Sequence, residues 1–275
     1  MLSISMQSSK ITSNTLKYKH MLLCGKTLSR FNNTSINVNV NINVNVIAVR
    51  KISTNLKNYN YNVERFVKIV EVGPRDGLQN ESKIICTSDK IKLISKLAQA
   101  GCPTIEATSF VSPKWVPQFT DAIEVLEHVK NYDPFKEMDD EIDIGSTLRR
   151  TTFNSLVPNV HGMKNAIMAG TDEISIFTSA SVTFSKKNIN CSIDESFTQR
   201  FHDVAILSKE YGIPMRGYIS CVLGCPYEGD VDVCDVGFVA ERLLELGCYE
   251  ISLADTTGVG TPNCVIDVLD EVQVC

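Results

Sequence analysis

The stretch VEVGPRDGLQNE, residues 70–81, sets a cation beside a carboxylate at the point where an apolar run stops. Arg75 and Asp76 directly follow Gly73-Pro74, a dipeptide that marks a turn. An aspartate at a strand end can offer oxygen to a hard cation such as Mg²⁺ or Mn²⁺, and the adjacent arginine can stabilise negative charge that develops on a carbonyl oxygen. The two residues could equally form a local ion pair that caps the turn. From this pair alone, both interpretations stay open.

Further polar residues fall at or near the ends of other apolar runs, and these are Glu106 with Ser109, Asn159, Ser179, Ser220 and Asp255. The runs are FVKIVEV, PTIEATSF, LVPN, EISIFTSA, MRGYISC and YEISLAD, each followed by a stretch with helical spacing. Strict alternation of strand and helix predicts parallel strands with right-handed crossovers, in a doubly wound sheet or a (β/α)8 TIM barrel. Polar residues at nearly every carboxyl end, with no G-x-G-x-x-G after the first strand, favour the barrel.

The helices follow from the same pattern. SDKIKLISKLAQAG has apolar residues at helical spacing, with Ser88 as a candidate cap and Gly101 as a stop. SIDESFTQRFHDVAILSKEYG and VGFVAERLLELG end in the same way, at Gly212 and Gly247. The segment 131–154 interrupts the rhythm with many acidic residues and no clear periodicity. We expect it to be an exposed insertion.

Charge divides the chain near Val63. Residues 1–63 hold eight Lys or Arg and no acid, so all 32 Asp and Glu lie beyond them. A basic, acid-free leader rich in Ser, Thr and Asn is typical of a mitochondrial transit peptide, although a disordered low-complexity tail is the alternative. We therefore expect a leader over 1–63, an incomplete barrel domain over 64–275, and the mitochondrial matrix as the location.

Composition also narrows the partners and the redox compartment. No apolar run approaches the roughly 18 residues of a membrane span, and we expect neither a membrane nor a nucleic acid as a partner. Ten cysteines without a secretory signal fit a reducing compartment. Cys221 and Cys225 form a single C-x3-C without a second pair, which argues against a structural zinc site and is adequately explained by two small buried residues.

Five motifs resemble those of the 3-hydroxy-3-methylglutaryl-CoA (HMG-CoA) lyases, in the metal-dependent (β/α)8 family that also holds isopropylmalate synthase. They are EVGPRDGLQNE, IEATSFVSPKWVPQ, FSKKNINCSI, RGYISCVLGCPYEG and GCYEISLADTTGVGTP. The resemblance runs from about Phe66 to Pro262 apart from the insertion, with the motifs in matching order and spacing. It implies a TIM barrel that cleaves HMG-CoA to acetyl-CoA and acetoacetate, in leucine degradation and ketone-body formation.

The resemblance also implies roles for matching residues. Arg75 would face the thioester carbonyl and stabilise the enolate of the acetyl-CoA product, and Asp76 would bind a divalent cation, Mg²⁺ or Mn²⁺. Glu106 matches a strand-end carboxylate that is important for catalysis, although it could also anchor Arg75 or a backbone amide. Asp255 matches another strand-end acid of the site, and it could equally support the ligands of the metal.

The implied reaction is a retro-Claisen cleavage. A base takes the proton from the C3 hydroxyl of the substrate, the C2–C3 bond breaks, and charge collects on the thioester enolate. A cation bound to the hydroxyl and the terminal carboxylate would acidify the first and orient both. Lys186 and Lys187 follow the fourth strand in a Ser- and Thr-rich loop, where they could meet the phosphates of an acyl-CoA or remain solvated.

The sequence departs from the family pattern at its end. About six strand–helix units can be counted, and EVQVC closes the sequence where a seventh strand is expected. The resemblance implies an H-x-H metal pair, an Asn ligand and a catalytic Cys further on, and none of the four histidines stands in an H-x-H. The open hypotheses are a lyase with an incomplete sequence, a non-catalytic barrel remnant, or another acyl-CoA lyase or synthase of the family. We expect this polypeptide by itself to be inactive, and a homodimer is one candidate assembly.

Overall fold

The computed structural model describes residues 68–131 and 151–273, together with the backbone of two short strands upstream. The rest of the leader and residues 132–150 of the expected insertion lie outside the described residues. The predictions of a transit peptide and of an exposed insertion therefore stay predictions.

One curved sheet organises the fold. The two upstream strands, β1 (Ser3–Gln7) and β2 (Ile42–Asn43), join one edge of it in antiparallel orientation. The next six strands are parallel and adjacent in chain order: β3 (Val70–Glu71), β4 (Thr104–Ser109), β5 (Thr152–Leu156), β6 (Glu173–Ser179), β7 (Met215–Ser220) and β8 (Glu250–Ala254). Repeated right-handed strand–helix units give this order. The six strands curl into half of a barrel, which confirms the predicted fold class.

Helices connect the strands and cover the outer face of the half-barrel. They are α1 (Thr87–Gln99), α2 (Ala122–Asn131), α3 (Val160–Met168), α4 (Val182–Ile189), α5 (Ile193–Glu195), α6 (His202–Tyr211), α7 (Val233–Leu246) and α8 (Pro262–Val272). Apolar strand residues such as Ile105, Ile174 and Ile219 pack with helix residues such as Ile94 and Leu243 in one buried core. Gly212 and Gly247 end their helices in the left-handed conformation, as the sequence predicted.

Local predictions failed where a long-range contact decides the backbone. Helix α1 begins at Thr87 after Cys86, which makes no side-chain cap, so Ser88 is not the cap. The third parallel strand precedes most of LVPN, and Asn159 instead caps α3 by accepting a hydrogen bond from the Gly162 amide at 3.0 Å. Residues 152–154 belong to β5, because the edge of β4 pairs with them, and they are therefore not part of an insertion.

The inner face of the half-barrel is polar. Alternate strand residues that do not join the apolar core are buried there, namely Glu106, Asn154, Glu173, Ser175, Arg216, Tyr218, Glu250 and Ser252. Such alternation follows from the period of two along a strand, which sends successive side chains to opposite faces. The signal is visible in the sequence as E-x-S, R-x-Y and E-x-S within EISIF, MRGYI and YEISL.

Four charged residues form a cluster at the amino ends of the strands, which we name the floor cluster: Lys68, Glu173, Arg216 and Glu250. Arg216 is fully buried, with Nε 3.1 Å from Glu173 Oε1 and Nη1 3.0 Å from Glu250 Oε1. Lys68, just before β3, lies 3.2 Å from Glu250 Oε2. The cluster therefore links the first and last parallel strands across the interior.

Candidate active site

Arg75 lies on a π-helical turn, Gly73–Gly77, directly after β3. The amides of Arg75 and Asp76 both donate to the Val72 carbonyl oxygen, at 3.1 and 2.7 Å, so the chain turns sharply at the strand end. The Gly73 amide donates to Glu71 Oε1 at 2.7 Å, and a Cβ on Gly73 would lie only 2.8 Å from that oxygen. The turn thus needs glycine at this position, and it places the arginine at the carboxyl end of the sheet.

The Arg75 guanidinium is held between two carboxylates. Nη1 donates to Asp76 Oδ1 at 2.9 Å, and Nη2 donates to Glu106 Oε2 at 3.2 Å. Nε lies 3.2 Å from Glu106 Oε1, close enough for an ion pair, but without the geometry of a hydrogen bond. Burial by itself would lower the pKa of Arg75, but the charges of Glu106 and Asp76 raise it above its ordinary value. The side chain is therefore a permanent, oriented cation.

Glu106 joins Arg75 to a tyrosine that the sequence analysis missed. The fully buried carboxylate of Glu106 on β4 accepts a hydrogen bond from Tyr218 Oη on β7 at 3.0 Å. Burial, and then the negative charge of Glu106, raise the pKa of Tyr218, so its hydroxyl stays protonated and donates. The contacts of Glu106 are those of an anchor for Arg75, one of the two roles left open by the sequence.

Asp76 is the only metal ligand that the resemblance identifies. Its side chain is partly exposed, and Oδ1 is engaged by Arg75. Within residues 68–131 and 151–273, no three His, Cys, Asp or Glu side chains are grouped so that they could hold a metal ion. The described residues thus offer one carboxylate and do not by themselves make up a metal site.

Asp255, directly after β8, holds its own loop together. Its Oδ1 accepts hydrogen bonds from the amides of Gly258 at 2.9 Å and Val259 at 3.3 Å, and Oδ2 accepts one from Gly260 at 2.9 Å. Both carboxylate oxygens are occupied by backbone donors, as expected for an acid that shapes a loop. No hydrogen bond or ion pair printed for the described residues joins Asp255 to Arg75.

Lys186 and Lys187 do not lie on a loop, as the sequence analysis predicted, but on helix α4. The Ser181 hydroxyl starts this helix by accepting a hydrogen bond from the Phe184 amide at 3.0 Å, a capping signal that the prediction missed. Both lysines are exposed, and Lys187 Nζ lies 3.9 Å from the ring centroid of Tyr227. This cation–π contact gives Lys187 a fixed direction.

Comparison with known proteins agrees with this arrangement. The HMGL-like family model matches residues 66–275. The chain is 52% identical over 207 residues to the cytoplasmic 3-hydroxy-3-methylglutaryl-CoA lyase of Danio rerio, covering 75% of this chain and 57% of the relative. It is 51% identical over 206 residues to the mitochondrial hydroxymethylglutaryl-CoA lyase of Bos taurus, covering 75% of this chain and 58% of that protein. The chain thus spans less than two thirds of the length of these curated relatives.

Solved structures support the same conclusion. The crystal structure of the HMG-CoA lyase from Brucella melitensis superposes with a TM-score of 0.67 at 45% identity, over 75% of this chain and 67% of that chain. A lyase from A. baumannii in complex with coenzyme A and 3-methylmalate gives a TM-score of 0.65 at 32% identity, over 74% of this chain and 61% of that chain. With the half-barrel and the Arg75 turn in place, the chain belongs to the HMGL-like family of HMG-CoA lyases.

Proposed function

We propose that this chain carries the enolate-stabilising part of a metal-dependent HMG-CoA lyase. The observation that carries the proposal is the buried Arg75 guanidinium, held by Asp76 and Glu106 at the carboxyl end of β3. A fixed cation with no freedom to relax lowers the energy of an oxyanion more than a mobile one does, because no reorganisation is needed as charge develops.

Arg75 has a defined part in the cleavage. When the C2–C3 bond of the substrate breaks, the electron pair moves onto the thioester enolate oxygen, and Arg75 is the group placed to meet that charge. Glu106 and Tyr218 hold the arginine in position from opposite strands. Glu106 is therefore proposed as a positioning residue, and Asp255 as the residue that shapes the neighbouring loop.

The divalent cation of this family would bind the C3 hydroxyl and the terminal carboxylate and make the hydroxyl more acidic. Asp76 is proposed as one ligand of Mg²⁺ or Mn²⁺. We derive no step through the cation, because the described residues do not complete its site. An acyl-CoA is the proposed ligand, with Lys186 and Lys187 as candidate contacts for its phosphates.

The activity of the isolated polypeptide tests these roles directly. We expect purified chain, incubated with HMG-CoA and Mg²⁺ or Mn²⁺, to release no acetoacetate above background, because one carboxylate does not fix a catalytic cation. Turnover that disappears in Asp76→Asn would contradict this expectation and would show a complete site. Sequencing the transcript beyond the Cys275 codon then separates the hypotheses: an in-frame H-x-H supports the lyase, and a stop supports a non-catalytic remnant.

If the transcript continues, the extended protein tests the proposed function itself. Arg75→Gln should lower kcat by roughly 10²-fold or more, the effect of losing one donor to a developing oxyanion. A variant at an exposed cation, Lys96→Gln, is the matched control. Unchanged kcat in Arg75→Gln would remove Arg75 from the chemistry.

The proposed location is the mitochondrial matrix, since residues 1–63 are basic and free of acids. We expect residues 1–65 fused to a fluorescent reporter to direct it to mitochondria, and the same segment with its eight Lys and Arg changed to Gln to fail. Fluorescence microscopy of both fusions measures this. A diffuse cytosolic signal from the unchanged leader would contradict the proposal.

A further inference from the structure

Cys221 and Cys225 lie on the loop that follows β7, and the proposed lyase step does not use them. Both side chains are buried, Cys221 fully and Cys225 with 5% exposed. The two thiols lie close enough that each shifts the pKa of the other. They form a nucleophilic pair whose role the family resemblance leaves open.

The backbone holds both cysteines in fixed positions. Cys221 has a φ of 62°, in the left-handed region that non-glycine residues rarely adopt, and its amide donates to Thr256 Oγ1 at 2.8 Å. Cys225 and Gly229 exchange two backbone hydrogen bonds, at 2.7 and 3.0 Å, which close a tight hairpin. Strain at a non-glycine residue persists only when its surroundings fix it, and it is concentrated at functional sites.

The surroundings of Cys225 favour a reactive thiol. Ser181 Oγ lies 3.0 Å from its sulfur, and the Tyr227 amide donates to the same sulfur at 3.4 Å. Burial by itself would raise the pKa of Cys225, but the hydrogen bonds from Ser181 and from the amides of Tyr227 and Glu228 lower it below its usual value. Burial raises the pKa of Cys221 to about 11. One thiol of the pair is thus the better thiolate, while the other keeps its proton.

The loop that carries the pair is tied to helix α4. The Ser181 hydroxyl donates to Glu228 Oε2 at 2.6 Å, and Glu228 Oε1 accepts from the Thr183 amide at 2.8 Å. Tyr227, two residues from Cys225, is half exposed. The pair therefore lies one residue below the surface in a rigid frame, where a small oxidant has access and a bulky one does not.

We propose that Cys221 and Cys225 are a peroxide-sensitive dithiol that closes to an intrachain disulfide. The Cys225 thiolate attacks one oxygen of hydrogen peroxide, the O–O bond breaks, and a sulfenic acid forms while the other oxygen leaves as water after protonation. The Cys221 thiol then attacks the Cys225 sulfur, the S–S bond forms, and a second water leaves. The two thiols together lose two electrons and two protons, and the peroxide accepts them. This reaction does not depend on lyase activity.

The test uses the whole chain and peptide mass spectrometry. The chain is treated with limiting hydrogen peroxide, the remaining thiols are alkylated with iodoacetamide, and the tryptic peptide Gly217–Arg242 is fragmented. That peptide also contains Cys234, which serves as an internal control. We expect a disulfide between Cys221 and Cys225 that dithiothreitol reverses, with Cys234 alkylated. The disulfide should appear before the exposed thiols of Cys86 and Cys264 are oxidised.

Two variants assign the steps to the two sulfurs. In Cys221→Ser the reaction should stop at a Cys225 sulfenic acid that dimedone traps, and in Cys225→Ser Cys221 should stay reduced. Circular dichroism confirms that both variants are folded, and a variant that fails to fold leaves the unmodified chain as the deciding measurement. The proposal is overturned if Cys86 and Cys264 are oxidised while Cys221 and Cys225 remain alkylated, or if Cys225 pairs with another cysteine.

Discussion

Glu106 is the residue on which the arrangement around Arg75 depends. A buried carboxylate is costly unless it is paired and hydrogen-bonded, and Glu106 meets this need with Arg75 on one side and Tyr218 on the other. Each of the three groups therefore explains the burial of its neighbour. Tyr218 is the member that the sequence analysis did not identify, although its alternation with Arg216 in MRGYIS marks both as facing the interior.

The Tyr218 hydroxyl makes stability depend on alkaline pH. Its pKa is raised on folding, so its contribution is fully present below the ordinary tyrosine pKa of about 10 and is lost as pH rises beyond it. We expect the free energy of unfolding to fall above about pH 10 more steeply in the unchanged chain than in Tyr218→Phe. Urea denaturation across this range measures the slopes, with the exposed Tyr211→Phe as control. Equal slopes for Tyr218→Phe and the unchanged chain would contradict the prediction.

At the scale of elements, one side chain fixes the segment that follows the Arg75 turn. Gln118 is buried, and its Oε1 accepts from the Ile85 amide at 2.9 Å while Nε2 donates to the carbonyls of Leu78 and Lys83, both at 3.2 Å. The buried Lys90 donates to the Gln118 carbonyl and to Asp121. A segment without regular structure thus gains backbone partners from a residue more than thirty positions away.

Removing these bonds should loosen the segment without unfolding the barrel. We expect Gln118→Leu to accelerate hydrogen–deuterium exchange in peptides spanning residues 78–86, because three backbone groups lose their partners. Exchange in β6 and β7 should stay unchanged. Gln79→Leu, at an exposed position in the same segment, is the control. The prediction fails if Gln118→Leu and Gln79→Leu exchange at the same rate as the unchanged chain.

At the scale of the whole molecule, the floor cluster connects the two ends of the parallel sheet. Lys68 reaches Glu250 and also donates to Tyr249 Oη at 3.1 Å, so the first strand is fastened to the last across the interior. Arg216 is the buried centre of this charge network. Several charges that share counter-ions without water stabilise an arrangement only while every member is present.

Loss of the central cation should therefore be severe. Arg216→Met leaves two buried carboxylates without their cation, and we expect it to lower the free energy of unfolding by about 3–5 kcal/mol. Arg242→Met, which removes a surface cation paired with the exposed Asp194, should cost about 1 kcal/mol or less. Urea denaturation of the two variants measures the difference. Similar losses in both would show that the buried network adds nothing beyond a surface pair.

No helix in the described part of the chain is long and apolar enough to cross a membrane. The described molecule is a half-barrel with one polar and one apolar face. Its two faces follow from strand alternation, and the order of its strands follows from the connecting helices.

The sequence by itself determined the repeating strand–helix units, the glycine stops at Gly212 and Gly247, and the position of Arg75 and Asp76 at a strand end. These features depend on periodicity and on backbone conformations that a few neighbouring residues impose, so a single sequence carries them.

Only the tertiary structure decided which interior side chains meet. Tyr218 reaches Glu106 from 112 residues away, and Lys68 reaches Glu250 from 182 residues away. The curvature of the sheet brings these pairs together, and that curvature results from the packing of all the strands and helices. Asp255 shows the converse, because its own loop occupies both of its oxygens. Residue type and strand-end position are local properties, whereas the partner of a buried charge is a property of the whole fold.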